Sequence, residues 1–466
     1  MVIFTATAAL FVVYLIPLFL RRARAEREGR PVDMFSPELF LSGYGILGLI
    51  YLFLLGIDPV GNRSTDLQFI PWVRDLDVTV MRYLVVMGAG YLATLAGVHS
   101  RAAGWFAGRM PMLHARRFTP GRVTRAVVLG GGAGVALYLW FLSSIGGLLN
   151  LWAHMWMRTR LMQGKGYTAN LYALLLTLTA GMAVYSLRHR PGRLRTALVS
   201  LVVLGMAVAM GSTGGRSPVL TVLVLAMLMH HYSVRRRTRL ITPLTATLGS
   251  VVFVFLLAAP LFRSGGSWEK YSGQPDVLVS DALSDLAASA HGFSSFDRGS
   301  VVVNYFTLER VWWGSSYVDL LAAPIPRTLF PDKPPVDDGI YLREIAEGRV
   351  VRPSRPAREM NPESWPTGNF LAYMNFWFPG FVIAGFLVGI VTGGTYRYME
   401  RTDYAPSAVF IYQYTVMGGV SVSVYGIVNV LITAIIVGGY FWFFFAPKWP
   451  GPLPRSVPSE GAAALA

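Results

Sequence analysis

Three stretches of this chain, residues 2–20, 39–55 and 240–262, hold no acidic residue and are apolar almost throughout. Each is about the length that carries a helix across a hydrocarbon core, roughly 17–25 residues. Lipid offers the backbone no hydrogen bonds, so a chain inside it must form helices or a closed barrel. These runs are continuous rather than alternating in hydropathy, which selects helices. The expected fold class is therefore an all-α polytopic membrane protein.

Composition agrees. Of 466 residues, 53% are hydrophobic and 14% charged, against roughly 25% charged in a soluble domain. There is no cysteine, so disulfides and thiolate metal sites are excluded. The formal charge of +16 suits nucleic acid in a soluble protein. In a membrane chain it reports arginine-rich cytoplasmic loops, and no nucleic-acid partner is expected. The first apolar segment directly follows Met1, with no charged stretch before it and no small-residue cleavage site. It reads as a retained helix, not a removed signal peptide.

Hydropathy places spans near 2–20, 39–56, 81–99, 126–144, 169–187, 196–211, 217–232, 241–262, 369–394, 406–424 and 427–446, about eleven in all. The last two are divided only by Tyr425 and Gly426. Glycines interrupt several spans, as at Gly130-Gly131-Gly132, and small residues let membrane helices approach closely. Every second loop is rich in arginine. Arg21, Arg22, Arg24, Arg27 and Arg30 follow the first span, Arg101 to Arg125 the third, Arg188 to Arg195 the fifth and Arg235 to Arg239 the seventh. The positive-inside rule assigns those loops to the cytoplasm. The expectation is a multi-pass protein of the cytoplasmic (inner) membrane, with its N-terminus outside and its C-terminus inside.

The domain reading follows from the spans. Residues 1–262 form about eight N-terminal transmembrane helices. Residues 263–368 form one large extracytoplasmic loop, too charged for lipid and too long for a connector. Residues 369–447 form about three C-terminal helices, and 448–466 a disordered cytoplasmic tail. Within the loop, 277–290 and 300–312 could be short helices, and 324–366 is stiffened by proline.

Four basic residues fall in short outer loops, where orientation rules disfavour them: Arg158, Arg160, Lys165 and Arg216. Arg216 lies in the turn Gly211-Ser212-Thr213-Gly214-Gly215-Arg216-Ser217-Pro218. There Ser217-Pro218 reads as an N-cap followed by proline at the first helical position. A helix N-terminus beside an arginine is an anion site; the competing reading is an arginine snorkelling to lipid headgroups. Arg158 and Arg160 end an aromatic, basic segment that begins at Trp152. It reads either as an interfacial aromatic belt or as a platform for a sugar ring or lipid phosphate. In the long loop, Arg298 accompanies Arg327 and Lys333, which a proline-rich segment holds in fixed positions. Outward acids include Asp75, Asp77, Asp297, Asp332, Asp337, Asp338, Glu359 and Glu363, with His154 and His291 as imidazoles. No HExxH, P-loop or strand-following GxGxxG is present, which argues against a metalloprotease, an ATPase or a dinucleotide enzyme.

The segment IPRTLFPDKP, from Ile325 to Pro334, resembles the outer-loop motif of bacterial oligosaccharide repeat-unit polymerases, the Wzy-type or O-antigen polymerase family. YMNFWFPG, from Tyr373 to Gly380, is similar to that family's Tyr-x-Asn-Phe-Gly lead into the next span, with Trp377 where many relatives have glycine. The glutamate often found two residues before the tyrosine is Leu371 here. GSTGGRSP resembles the family's Gly-Ser-Arg-Gly turn, with the arginine displaced to Arg216.

The resemblance implies a GT-C-like glycosyltransferase architecture and a donor and acceptor that are both glycans on polyprenyl pyrophosphate. Membrane lipids and a chain-length regulator are the further partners it implies; no metal or cofactor is required. On this reading Arg216, Arg327 and Lys333 hold the pyrophosphate, with Arg158, Arg160 and Arg298 behind them. The base is His291, Asp332 or Glu363. Two alternatives remain at this point. A transferase using a polyprenyl monophosphate sugar would take Asp75 or Asp77 as base. A lipid-linked glycan transporter or flippase would show paired charges near mid-membrane.

Overall fold

The computed structural model describes residues 2–27, 29, 32–111, 117–162, 164–234, 270, 273–284, 291 and 294–446. Among these, every regular element is helical, and nine helices are long and apolar enough to cross a membrane. The chain is an all-helical, multi-pass membrane protein. The helices used below are α1 (Val2–Arg27), α2 (Pro37–Ile57), α3 (Leu76–His99), α4 (Arg101–Arg109), α5 (Pro120–Ser144), α6 (Gly166–Tyr185), α7 (Arg193–Gly211), α8 (Arg216–Met229), α9 (Phe296–Tyr305), α10 (Gly339–Ala346), α11 (Phe370–Arg401), α12 (Pro406–Tyr414) and α13 (Val424–Phe445). The expected span at 241–262 and the tail at 448–466 lie outside the described residues.

The bundle has two chemically distinct ends. At one, the arginine-bearing connections meet: Tyr396 Oη donates to Asp33 Oδ2 at 2.6 Å, and Arg397 donates to the Ser100 carbonyl at 3.0 Å. This is the basic end. At the other, the 294–369 segment packs onto the short connections; Trp72 Nε1 donates to the Ile345 carbonyl at 2.6 Å. This is the loop end.

Glycine decides how the helices meet. The α3–α11 pair packs backbone to backbone: a Cβ on Gly389 would lie 2.1 Å from the Thr94 carbonyl oxygen, and one on Gly97 would lie 2.2 Å from that of Phe386. Gly385 and Gly393 face Gly90 and Val98 in the same way. Lipid tails are as apolar as leucine, so close packing and interhelical hydrogen bonds, not water exclusion, hold such pairs together. The Gly130-Gly131-Gly132 run of α5 divides its roles. Gly130 meets Tyr440 and Gly131 meets Thr179, while Gly132 has open space around it.

The loop end is stabilised differently. Its core joins Phe296, Tyr305 and Phe306 from around α9, and Tyr341 and Ile345 from α10, to the α1–α3 side of the bundle. Phe296 packs edge-on against Tyr83 of α3, and Trp72 against Tyr305. Burying such a ring from water contributes about 2–3 kcal/mol. Of the two short helices expected at 277–290 and 300–312, the first appears as Pro275–Ser284, with 285–290 outside the described residues, and the second is displaced to Phe296–Tyr305, with 306–312 in turns and irregular backbone. The segment between is partly outside the described residues.

The loop docks onto a break in α11. Pro379 cannot donate to the Asn375 carbonyl, and Phe376 and Trp377 leave helical geometry, Trp377 at φ 54°. The Met374 and Asn375 carbonyls freed there accept from Trp312 N (3.0 Å) and Trp313 N (2.9 Å). The buried Asn375 side chain donates to Ser316 Oγ at 2.7 Å. The YMNFWFPG motif is thus the seam between loop and membrane bundle.

The expected span at 406–424 is not one continuous helix. α12 ends at Tyr414, a π turn runs through Thr415–Gly419, and Gly418 takes φ 79°. Val420 is extended, and Ser423 Oγ accepts from Gly426 N and caps α13. The adjacent glycines, 418 and 419, remove the steric preference for helix that the surrounding apolar residues would otherwise express. The chain still runs from the basic end to the loop end here, because Ser233 Oγ bonds the Tyr404 carbonyl, and Asn429, one turn into α13, pairs with Asn170 in the first turn of α6.

Candidate functional site

At the loop end, α2, α3 and α9 converge on His291. Asp297 sits in the first turn of α9, where a helix N-terminus favours negative charge. Its carboxylate is 6% exposed and accepts from Ser64 Oγ at 2.9 Å. Asp297 Oδ2 is also hydrogen-bonded to His291 Nε2. Ser64 is itself fixed: its Oγ accepts from Leu67 N, capping the Thr65–Phe69 helix. Its own backbone N donates to Tyr51 Oη at 3.0 Å. The Tyr51 ring stands edge-on to the imidazole at 5.0 Å. The His291 side chain keeps 27% of its surface open. A buried carboxylate on one imidazole nitrogen fixes the tautomer and stabilises the ring once it takes a proton. Two cations flank the pair. Arg298 donates to the Pro366 and Ser294 carbonyls, and Arg63 donates to that of Leu67.

The other base candidates are placed differently. Asp332 is exposed and pairs with Arg358 at 2.7 Å. Glu363 is exposed and lies 3.6 Å from Arg343, which also holds Glu347. Exposed pairs of this kind contribute little to stability, and neither acid pairs with an imidazole as Asp297 does. Of the two acids of the monophosphate alternative, Asp75 caps α3 by accepting from Val78 N and Asp77 lies in the first turn of that helix.

The expected phosphate ligands divide into two groups. Arg158 donates to the Thr213 carbonyl at 3.1 Å, and Trp152 Nε1 donates to that of Ser212 at 2.8 Å. The aromatic, basic segment therefore lies directly against the turn before α8. That turn needs glycine at 214, which takes φ 73° and would push a Cβ to 2.6 Å from Met155 Sδ. α8 begins at Arg216 with Gly215 as its cap. Pro218 thus stands third in the first turn rather than first, a place where its missing N–H is still no loss. Arg160 is exposed beside this group. The second group turns inward. Lys333 is 5% exposed, and its Nζ donates to the carbonyls of Ala323 (2.6 Å) and Ile325 (2.8 Å). Burial and the nearby Arg327 lower its pKa. Arg327 in turn donates to the Lys333 carbonyl at 3.3 Å. Lys333 clasps the proline segment, and only Arg327 of the two presents charge to solvent.

Asp338 is a buried acid of the loop. It is 2% exposed and accepts from Thr367 Oγ1 at 2.9 Å. Burial, reinforced by neighbouring Asp337, pushes it up to about 7. Its carboxyl takes up a proton on folding anywhere between pH 4 and 7, so it makes the native state less stable as pH rises through that window and adds no further slope above it. The shift corresponds to a span on the order of 4 kcal/mol. Thermal denaturation of the purified protein should therefore show Asp338→Asn flattening a decline in stability between pH 5 and pH 7.5. An unchanged decline would remove Asp338 as its source.

The fold and these sites define a helical membrane protein with a structured, polar loop assembly at one end. Comparison with family models, curated proteins and solved structures finds no match. Sequence reasoning did not single out Ser64, Tyr51 or Arg63. Ser64 carries one local signal, a serine three residues ahead of Leu67 in a Ser-x-x-apolar start, but its bond to Asp297 spans more than 200 residues.

Proposed function

We propose that this protein is a membrane glycosyltransferase of GT-C-like architecture. It polymerises oligosaccharide repeat units carried on polyprenyl pyrophosphate, at the outer face of the cytoplasmic membrane. The observation that carries the proposal is the His291–Asp297 pair at the same end of the bundle as the Arg158–Arg216 turn. The acceptor hydroxyl attacks the anomeric carbon of the donor, and its proton passes to the His291 imidazole. The anomeric C–O bond breaks, and the bonding pair leaves with the lipid pyrophosphate. Arg216, Arg158 and the amide groups of the turn stabilise the charge that develops there. Arg160, Arg298 and Arg327 extend the positive field around the site. In this reading the loop end is extracytoplasmic, the C-terminus is cytoplasmic, and a chain-length regulator is a partner.

A transporter would place paired charges near mid-membrane. The described intrahelical charges instead pair near helix ends, as Arg21 does with Glu38 in the first turn of α2. That favours the enzyme. Arg216→Ala is expected to lower polymer formation by on the order of 10²–10³, with the protein still inserted and monodisperse. Full-length polymer at the wild-type rate from that variant would refute the phosphate role. Supplying purified pyrophosphate and monophosphate donor lipids separately identifies the donor; turnover of the monophosphate alone would refute the polymerase reading.

A further inference from the structure

Residues 313–333 of the loop are polar on the inside and apolar on the outside. The turn Ser315–Val318 runs into the helix Asp319–Ala322. At helical spacing, Ser316, Asp319 and Ala323 are buried, whereas Val318, Leu321 and Ile325 are exposed. Asp319 is 3% exposed and Leu321 77%. The buried groups are bonded. Ser316 Oγ accepts from Asn375, and Asp319 accepts from Tyr341 Oη at 2.8 Å and from Ser354 Oγ at 2.7 Å. The pattern continues past the helix, where Lys333 is buried and Leu329 is 77% exposed. A segment facing water turns its apolar side inward. Burying a carboxylate and an ammonium while two leucines stay outside is the costly arrangement there. Against an apolar medium the same arrangement is the favourable one.

The height of the segment in the bundle identifies that medium. Its anchor is the break in α11, where Trp313 N donates to the Asn375 carbonyl. Arg397 marks the other end of the same helix by its bonds to the Val98 and Ser100 carbonyls. From Arg397 to Pro379 the helix rises about 27 Å, close to the hydrocarbon thickness of roughly 30 Å. The break therefore stands at the edge of the hydrocarbon core. Below it, Ile383 and Leu387, one turn apart on α11, are exposed where lipid tails run. That surface continues upward through exposed Pro379 and Phe376. The Phe376 ring lies parallel to that of Tyr317, centroids 6.2 Å apart, and a Cβ on Gly314 would meet it at 3.3 Å. The lipid-facing side of α11 thus passes directly into the 313–321 turn. Trp313, exposed and held at φ 49°, stands at this junction, the depth that tryptophan favours in membranes.

We infer that residues 313–330 form an interfacial element seated in the lipid leaflet at the loop end, with Val318, Leu321 and Leu329 in the boundary between headgroups and acyl chains. The bilayer is the occupant, not a second copy, because the apolar surface is continuous with that of a membrane span. Asp319 and Lys333 are the internal clasps that keep the segment's polar groups out of lipid. The inference concerns membrane seating alone, so it stands or falls separately from the proposed reaction.

The chain has no cysteine, so one introduced thiol carries one spin label. Full-length Leu321→Cys and Leu329→Cys proteins are labelled with a nitroxide and reconstituted into vesicles of phosphatidylethanolamine and phosphatidylglycerol. Electron paramagnetic resonance reads collision with oxygen, which concentrates in lipid, and with a neutral nickel chelate, which stays in water. Ile383→Cys on α11 is the lipid reference, and Glu359→Cys, at an exposed loop position, is the water reference. Both leucine positions should favour oxygen over nickel several-fold relative to Glu359, at a depth of about 5–10 Å below the headgroup surface. Both side chains are exposed, so the variants should keep the wild-type Tm. Nickel access equal to that at Glu359, at either position, would place the segment in water and overturn the inference. Shielding from both reagents would overturn it in favour of a protein partner, and spin–spin broadening would identify that partner as a second copy.

Discussion

Replacing Gly389 by leucine is expected to abolish the folded bundle while leaving each helix able to insert. Even the first carbon of a side chain there would lie 2.1 Å from the Thr94 carbonyl oxygen and 3.0 Å from the Gly97 Cα. Both obstacles are backbone, so no rotamer change relieves the overlap. α3 and α11 would have to separate, and with them the contacts at Gly385, Gly393 and Gly97, where an added Cβ would likewise lie within 3 Å of the partner backbone. Overpacking ordinarily costs about 1–3 kcal/mol. Here it acts on the pair that carries both the loop seam at Asn375 and the Tyr396–Asp33 bond, so the cost should exceed that range. The check is the monodisperse yield and Tm of the purified variant. Gly132→Leu serves as control, because that glycine has open space around it and should be tolerated. A Gly389→Leu protein that purifies normally with wild-type Tm would show that the helices do not pack this closely.

The second large effect concerns chemistry. His291→Ala should lower polymer formation by on the order of 10²–10⁴, the usual contribution of a positioned general base. Asp297→Asn should lower it as well. It leaves the volume of the site intact but replaces the negative partner of the imidazole, which then loses its stabilisation on protonation. Asp332→Asn and Glu363→Gln should stay within about twofold of wild type, as expected for exposed ion pairs. The measurement is polymer length and rate from purified protein and lipid-linked repeat units. Loss of activity in Glu363→Gln with activity retained in His291→Ala would reverse the assignment of the base.

The helices were legible because span length and charge alternation are written locally. A run of about 20 apolar residues carries its own reason to cross lipid, and α1, α2, α11 and α13 appear where the runs are. The 406–424 segment shows the limit of that signal. Hydropathy averages side chains over a window and does not register that Gly418 and Gly419 allow the backbone to leave the helix. The same holds for Gly130-Gly131-Gly132. The run predicts a close approach, but only the position of α6 and α13 decides that the first two glycines pack and the third does not.

The site was legible in part. Arg158 and Arg216 stand out by their loop position, and the fold brings their segments together. Lys333 stands out equally by sequence, yet its ammonium is spent on two carbonyls. A charge is recognisable from its residue type, whereas its availability depends on what lies within about 3 Å. His291, Asp332 and Glu363 are equivalent as candidates by sequence; the proposal of His291 rests on its contact with Asp297, which Ser64 holds.

By itself, then, the order of residues determined a helical, lipid-embedded chain with two unlike ends, because burial in lipid and the side preference of arginine act on short, contiguous stretches. The tertiary structure alone decided which polar groups meet: Asp33 with Tyr396, Ser64 with Asp297, Asn375 with Ser316. Those bonds link residues tens to hundreds of positions apart, and they exist only after glycine-faced helices have brought the backbones close enough for side chains to reach across.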